Sequence, residues 1–307
     1  MALLVAICAL ALPLSAGAAG IDSLVPLPGI STFEVGADLR LAPHALALDP
    51  LGRVWALDRA RGRIVPVREE RIGESVAIEA PRGRAPSSLS DLAASGSYLY
   101  LLDSGPPRIL LADLDGHARD AVDLSAEIEA AGLGGGIVSL LLVDRSGTLS
   151  LIESGAGRLV RLDRRGRFVD TPLESLSRRE RPERIADARL APGDETVLLD
   201  PVGPTLFTLS PDGVVEQVVR LDTELTEPMT LAIDAEGARF LIGSGGRVVV
   251  VDRKGDRVWD GRIPLQDALG PHRAVITREG ILLVSYPSKG AIDRWRIARA
   301  ASGRGAR

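Results

Sequence analysis

A unit of four short apolar runs repeats along this chain, and it constrains the fold more than any other feature. The clearest copy covers residues 228–263, where runs at 230–233, 239–242, 248–251 and 257–263 alternate with turns rich in Asp and Gly. Runs of this length, rich in branched residues, are typical of β-strands. Short Asp-x-x-Gly loops suit antiparallel hairpins, because Asp bonds its own backbone and Gly accepts the left-handed conformation. The unit therefore predicts a four-stranded antiparallel meander.

Six copies of the unit follow one another with a regular period. They open at Pro43, Pro86, Gly136, Pro182, Pro228 and Pro271, so that successive openings lie 43 to 50 residues apart. Two series of tight turns keep this period, one after the first run of each copy and one after the third run of the middle copies. Periods of roughly 40–50 residues with four strands per repeat are typical of propeller blades. The predicted fold is all-β: a six-bladed β-propeller with four-stranded antiparallel blades.

The sixth copy has only three runs, and this predicts how the ring closes. Residues 31–39 (STFEVGADL) read as a strand that has no hairpin partner beside it. We expect this N-terminal strand to pair with the third strand of the last blade, since an unpaired edge invites aggregation. The predicted domain organisation is a linker at 19–30, a propeller at 31–298 and a disordered basic tail at 299–307.

Residues 1–18 are predicted to be a signal peptide. An apolar core at 3–14 is followed by the small residues Ala16 and Ala18, and it is shorter than the about 20 residues that span a bilayer. We expect a periplasmic or secreted protein that starts near Ala19 and has no stable membrane span. It would contain no cysteine, because Cys8 is the chain's single Cys.

The first and fifth copies carry a pattern found in a known family. Pro-x-x-Leu-Ala-Leu-Asp-x-x-Gly-x-Val-Trp at 43–55, with its counterpart at 228–240, resembles the NHL-type repeats of six-bladed propellers. That superfamily includes gluconolactonase-like lactonases, streptogramin lyases and many pure binding modules. The resemblance covers residues 31–298. It implies the fold and leaves the choice between enzyme and binding module open.

The residues that follow each opening are the candidates for a site, because they would ring the mouth of the central channel. They are His44, Ser87, Ile137, Glu183, Met229 and His272. His44 and His272 belong to the first and sixth blades, which become neighbours when the ring closes. Two imidazoles and the Glu183 carboxylate suit a divalent metal, although Glu183 lies nearly opposite His44. The resemblance to the lyases implies that channel histidines carry the chemistry; alternatively, both are ordinary polar residues at strand starts.

Several functional classes are disfavoured by what the sequence lacks. The resembling lactonases hold their metal with a Glu, an Asp and two Asn, and this chain contains no Asn. It also contains neither a Gly-x-Ser-x-Gly elbow nor a nucleotide-binding loop. The basic clusters at 161–167 and 178–184 could form one patch on the mouth side. A net charge of −4 and ten aromatic residues nevertheless argue against a nucleic-acid partner.

These observations favour an exported, non-catalytic binding or scaffold module that contacts a protein or small-molecule ligand at the channel mouth. The alternative is a metal-dependent hydrolase or lyase, lactonase-like, with His44 and His272 as catalytic candidates. In that case His44, Glu183 and His272 would be the candidate metal ligands, and the cofactor would be a divalent metal. A third hypothesis is a structural spacer without a ligand of its own.

Overall fold

The structure, a computed structural model, describes residues 20–31, 40–68, 71–78, 86–133, 137–221, 225 and 227–299. Within these ranges six four-stranded antiparallel sheets form a ring, which confirms the predicted six-bladed propeller. Blades 1 to 5 each use four consecutive strands. Blade 6 takes its fourth strand from the N-terminal part of the chain, as the missing run in the last copy predicted.

The strands run from the channel outwards within each blade. Blade 1 consists of β2 (Ala45–Leu48), β3 (Val54–Asp58), β4 (Arg63–Val67) and β5 (Val76–Ala77). Blade 2 consists of β6 (Leu89–Ser95), β7 (Tyr98–Ser104), β8 (Pro107–Asp113) and β9 (Ala118–Asp123). Blade 3 consists of β10 (Leu140–Val143), β11 (Leu149–Glu153), β12 (Arg158–Leu162) and β13 (Phe168–Asp170).

Blade 4 consists of β14 (Asp187–Leu190), β15 (Thr196–Asp200), β16 (Thr205–Leu209) and β17 (Val215–Arg220). Blade 5 consists of β18 (Pro228–Ile233), β19 (Arg239–Gly243), β20 (Arg247–Val251) and β21 (Arg257–Arg262). Blade 6 consists of β22 (Arg273–Ile276), β23 (Ile281–Tyr286), β24 (Ala291–Arg299) and β1 (Ile21–Ser31). The helical segments are α1 (Ser125–Ala130) and 3-10 turns at Ser154–Ala156, Pro172–Ser175 and Pro287–Lys289.

The tight turns form for the reason that their sequence predicts. In the turn after β20, the Asp252 carboxylate accepts backbone N–H groups from Lys254 and Asp256 at 2.8 and 2.9 Å. Gly255 closes the turn with a φ of +92°, a conformation that a side chain would strain. Asp234 and Gly237 build the turn after β18 in the same way. Each hairpin is therefore specified locally, within a few residues.

Apolar faces of adjacent blades pack against each other and form the core. Between blades 5 and 6, Phe240 and Val250 lie in one buried cluster with Val284 and Trp295. The opening strands of neighbouring blades contact each other all around the ring. Because inner strands are covered on both faces, β10 and residues 248–251 of β20 are apolar throughout and do not alternate with polar residues.

The closing strand lies earlier in the chain than the sequence predicted. β1 (Ile21–Ser31) pairs antiparallel with β24, from Ile21 opposite Arg299 to Ser31 opposite Ala291. The linker predicted at 19–30 is therefore wrong for residues 21–30, and residues 32–39 of the predicted strand lie outside the described residues. The stretch 21–30 contains Pro26 and Pro28, and β1 is the outermost strand of its blade. Proline is tolerated there because its missing N–H would face solvent, and the pairing is irregular between Leu27 and Ile30.

The predicted signal peptide at 1–18 and residues 300–307 of the predicted tail also lie outside the described residues. Within the described part of the chain, none of the helices has the length and apolar character needed to cross a membrane.

Candidate functional site at the channel mouth

Three carboxylates fix the chain where it enters a blade at the mouth of the channel. Asp58, Asp103 and Asp200 end or nearly end the second strand of blades 1, 2 and 4, and all three are buried. Asp58 accepts the N–H of Ala42 at 3.1 Å, and Asp103 accepts that of Ser88 at 2.8 Å. Asp200 accepts the N–H of Glu183 at 2.8 Å. Glu183 therefore corresponds in position to Ala42 and not to His44.

The residues that ring the mouth are defined by one repeated backbone hydrogen bond. The N–H groups of His44, Ser139, Ala186 and His272 each donate to the second strand of their own blade. The acceptors are the carbonyl groups of Leu57, Ile152, Leu199 and Ser285, at 2.8 to 3.0 Å. Blade 4 thus places Ala186 where blades 1 and 6 place histidines. Counting from the opening proline matched Glu183 with His44, because blade 4 has more residues than blade 1 between that proline and its first strand.

His44 and His272 lie side by side, as the closed ring predicted. Their ring centroids are 5.8 Å apart and the rings are nearly perpendicular, at 83°. Nδ1 of His44 lies 2.7 Å from the carbonyl oxygen of Ala42, which can only accept, so Nδ1 carries the proton. In the neutral ring this leaves Nε2 of His44 with a free lone pair. The pair therefore offers at least one acceptor nitrogen to a ligand.

Both imidazoles are neutral at pH 7. Desolvation is the largest cause that lowers the pKa of His44, and the Arg59 charge adds to it against the opposing Ala42 hydrogen bond and Asp58. His272 faces the solvent of the mouth, but protein surrounds it closely. Desolvation, then Arg273 and then His44 lower the pKa of His272 to about 4. Neutral imidazoles can act as ligands, hydrogen-bonding groups or bases.

A row of charged residues lies on the opening strands at the hub, next to the histidines. Asp91, Asp187 and Arg273 stand at equivalent positions of the opening strands of blades 2, 4 and 6, as the strand registers show. All three are buried. Arg273 lies between the two aspartates, with Nε 4.0 Å from Asp91 Oδ1 and Nη1 4.0 Å from Asp187 Oδ1. Arg189, two residues after Asp187, forms a 3.1 Å ion pair with it.

The two aspartates also join neighbouring blades. Oδ2 of Asp187 accepts hydrogen bonds from the Thr230 hydroxyl at 2.6 Å and from the Leu231 N–H at 3.0 Å, both in β18 of blade 5. Oδ2 of Asp91 accepts the Leu141 N–H of β10 in blade 3 at 2.9 Å. Desolvation nevertheless raises the pKa of Asp91, against the opposing effects of Arg273 and the Leu141 hydrogen bond.

A cavity of about 600 Å³ opens at the mouth above this row. It reaches across the openings of blades 4, 5 and 6. Its lining includes Arg184, Ala186, Glu227, Met229, His272 and Arg273. A volume of this size suits a small organic ligand, since such sites usually measure about 300–1,000 Å³.

The structure brings two of the three metal candidates together and leaves the third apart. Glu183 is exposed and lines a separate pocket of about 400 Å³ with Gly157, Arg178 and Arg181. Among the described residues there is no group of three or more His, Cys, Asp or Glu side chains that could hold a metal ion. These residues do not fit the divalent metal that the resembling lactonases use.

The other sequence candidates lie at different places on the mouth face. Met229 lines the cavity with His272. Ser87 is held by Asp103, to which its N–H donates at 3.2 Å. Ile137 is 75% exposed.

The two basic clusters do not form one patch. Arg161 is buried and bonds the backbone oxygen of Pro211, in the turn after the third strand of blade 4. Arg178 and Arg181 line the pocket near Gly157, beyond the opposite end of β12.

Sequence reasoning missed Arg273, Arg189, Asp91 and Asp187, although the sequence contains a signal for them. Each is a charged residue within an opening strand whose other members are mostly apolar or small, such as LSDLAAS or RAVI. Since opening strands line the channel, a charge there predicts a polar hub. Arg184 and Glu227 carry no such signal, because their approach depends on the paths of separate connections.

Comparison with known proteins identifies the fold and no closer relationship. No protein-family model matches this sequence, and no curated protein is similar to it. A streptogramin B lyase structure superposes with a TM-score of 0.60 at 11% identity, covering 90% of this chain and 97% of the lyase. A catalytically inactive histidine-to-alanine variant of virginiamycin B lyase from Staphylococcus aureus, with quinupristin, gives 0.57 at 13%, covering 85% and 83%. A gluconolactonase from Xanthomonas campestris gives 0.60 at 14%, covering 91% and 98%. The chain thus has the six-bladed propeller fold found in these lyases and in the gluconolactonase.

Proposed function

We propose that this protein is an exported propeller, built from NHL-type repeats, that binds a small molecule at its channel mouth without transforming it. The observation that carries the proposal is the cavity above the charged row. It is large enough for a small ligand, Arg273 of that row lines it, and Arg184, Glu227 and His272 add polar groups to its wall. Convergent polar groups in a concave site are the usual basis of small-molecule recognition.

Export to the periplasm or medium belongs to the same proposal. It rests on the apolar segment at 3–14 and the small residues at Ala16 and Ala18. N-terminal sequencing of the protein recovered from the host's periplasm and medium tests it. A mature N-terminus near Ala19 supports export, whereas full-length protein confined to the cytoplasm contradicts it.

A second candidate function is a lyase or hydrolase that uses the histidine pair. The contact between His44 and His272 favours it, because a neutral imidazole can remove a proton from a bound substrate. The inactive histidine-to-alanine variant of virginiamycin B lyase adds support by analogy. A pKa of about 4 makes His272 a weak base at pH 7, which is why binding is the first proposal.

Native mass spectrometry of protein purified from its own host tests the binding function. Ala186 lines the cavity, so Ala186→Trp should fill part of it and displace a co-purifying compound. Ala235→Trp is the matched control, because Ala235 is exposed in the turn after β18 and lies outside the cavity lining. A compound retained by wild type and by Ala235→Trp, and lost from Ala186→Trp, supports the proposal. The absence of any bound compound, or its retention in Ala186→Trp, contradicts it.

The same compound separates the two candidate functions. Incubation with wild-type protein should return it unchanged if the protein only binds. Turnover by wild type that disappears in His272→Ala, while the variant still binds the compound, would establish the enzyme instead.

A further inference from the structure

The floor of the mouth cavity contains a guanidinium whose hydrogen-bonding capacity is mostly unused. Arg273 is 7% exposed and lines the cavity. Nη1 donates to the backbone oxygen of His272 at 3.2 Å, and Nε has no hydrogen-bond partner. Within the described residues this is the only hydrogen bond that the guanidinium makes, although arginine carries five N–H donors. A buried donor without a partner is costly, so an acceptor that reaches this guanidinium would be stabilising.

The neighbouring aspartates balance the charge of Arg273 but do not serve as its acceptors. Both lie 4.0 Å away, beyond hydrogen-bonding distance. Asp187 is held in place by Thr230, Leu231 and Arg189 through Oδ2, and by the Ala188 N–H through Oδ1. Oδ2 of Asp91 is held by the Leu141 N–H. Because other strands fix these carboxylates, they do not take up the free donors of Arg273, which lines the cavity.

The walls of the cavity add one further positive and one negative group. Arg184 is exposed and lines the cavity with Arg273. Glu227 lines it as well, and its backbone φ of +49° is unusual for a residue with a side chain. Non-glycine residues in this region often occur at binding sites. A ligand that meets both walls would carry one anionic group and, elsewhere, a hydrogen-bond donor for Glu227.

We propose that the mouth binds a small monoanionic molecule through an oxyanion, in the first place a carboxylate. Arg273 and Arg184 hold this carboxylate. A hydroxyl or amino group of the ligand faces Glu227. A planar guanidinium matches the two oxygens of a carboxylate. Glu227 disfavours a second negative charge in the ligand. This inference rests on the proposed small-molecule function and specifies the ligand class.

The chain's three histidines provide the readout, because two of them lie at the mouth and His117 lies on an outer hairpin. Histidine-labelled protein without a histidine tag is titrated at constant ionic strength and followed by NMR of the imidazole signals. The probes are lactate, its uncharged methyl ester and inorganic phosphate. Lactate should shift the His272 and His44 signals and leave those of His117 unchanged, and methyl lactate should shift none of them. Phosphate distinguishes the source of the oxyanion: a stronger response to phosphate than to lactate would identify a phosphate group in place of a carboxylate.

Three variants show whether the shifts report the proposed contacts. Arg184→Gln should weaken lactate binding about tenfold or more, given the strength of charge-assisted hydrogen bonds. Arg273→Lys should abolish binding, since lysine lacks the planar fork. Arg165→Gln is the matched control for the loss of one charge, because Arg165 is exposed in the turn after β12, and it should bind as wild type does. If Arg273→Lys does not fold, the comparison of lactate binding by Arg184→Gln and by Arg165→Gln tests the proposal on its own.

Failure of this inference can be told apart from failure of the binding function. Equal shifts with lactate and methyl lactate, equal weakening in Arg165→Gln and Arg184→Gln, or no response to either anion would overturn the oxyanion site. A compound displaced by Ala186→Trp would still support binding at the mouth, with a ligand of another class.

Discussion

Replacement of Asp187 by alanine should destabilise the propeller more than removal of a shorter ion pair on its surface. Asp187 is fully buried and accepts from Thr230 and Leu231 while it pairs with Arg189 at 3.1 Å. Its removal leaves a guanidinium and a backbone N–H buried without their partner. Breaking a buried ion pair on one side costs about 3–5 kcal/mol, and the orphaned N–H adds to this without being strictly additive. We expect a loss of about 4 kcal/mol in the free energy of unfolding.

Urea denaturation followed by circular dichroism measures this loss, with Asp260→Ala as the control. Asp260 pairs with Arg247 at 2.6 Å, but both side chains are partly exposed. Surface ion pairs contribute about 0–1 kcal/mol, so the shorter pair should matter less. Asp187→Asn should fall between Asp187→Ala and wild type, because its amide oxygen can still accept the Leu231 N–H. A loss in Asp260→Ala equal to that in Asp187→Ala would refute the reasoning, as would an Asp187→Ala loss below about 1 kcal/mol.

Three further predictions concern closure, a turn and pH. In urea denaturation, Ile30→Ala in β1 should lower the free energy of unfolding by about 3 kcal/mol, because Ile30 is only 4% exposed. Val25→Ala, at a position of β1 that is 42% exposed, should lower it by less than about 0.5 kcal/mol. Gly157 and Gly203 both have φ near +60°, but a Cβ would lie 2.2 Å from the Pro182 oxygen only at Gly157, so Gly157→Ala should melt below Gly203→Ala; equal melting temperatures would contradict this. The pKa of His272 is about 4 in the folded protein and near 6.5 in the unfolded chain. As pH falls from 6.5 towards 4, the unfolded chain therefore takes up a proton at His272 and the folded protein does not, which lowers the free energy of unfolding. The melting temperature of His272→Gln should therefore fall less than that of wild type between these pH values, and parallel curves would exclude this role.

Local chemistry explains why the sequence predicted the blades but misplaced the closing strand. Turns such as Asp252 to Gly255 are specified by neighbouring residues, so their repetition identifies the hairpins. The pairing of Ile21 with Arg299 joins the two ends of the described chain, and no local pattern specifies it. Residues 31–39 read as a strand and 19–30 as a linker, whereas the observed strand covers 21–31 and contains Pro26 and Pro28. Their tolerance follows from the outermost place of β1, which is known only once the ring is assembled.

The candidate site shows the same division. The closeness of His44 and His272 followed from ring closure alone, because both stand at the first hub position of adjacent blades. The separation of Glu183 did not follow, because a few additional residues after Pro182 shift Ala186 into that position. Repeat counting gives which blades are neighbours. It does not give the register of a connection of irregular length.

The charged row at the hub also determines how some neighbouring blades are joined. Asp91 and Asp187 each accept the N–H of the next blade's opening strand, at Leu141 and Leu231. At the corresponding position blade 6 has Arg273. A guanidinium carries no acceptor atom, so Arg273 cannot accept the N–H of Leu46 in blade 1. Charge is not needed at every position of this row, since Ala45, Leu140 and Thr230 occupy the other three. Blade 6 therefore lacks this carboxylate to N–H hydrogen bond and has the guanidinium N–H groups of Arg273 beside the cavity instead. In the same blade, the eleven-residue strand β1 pairs along β24 and closes the ring.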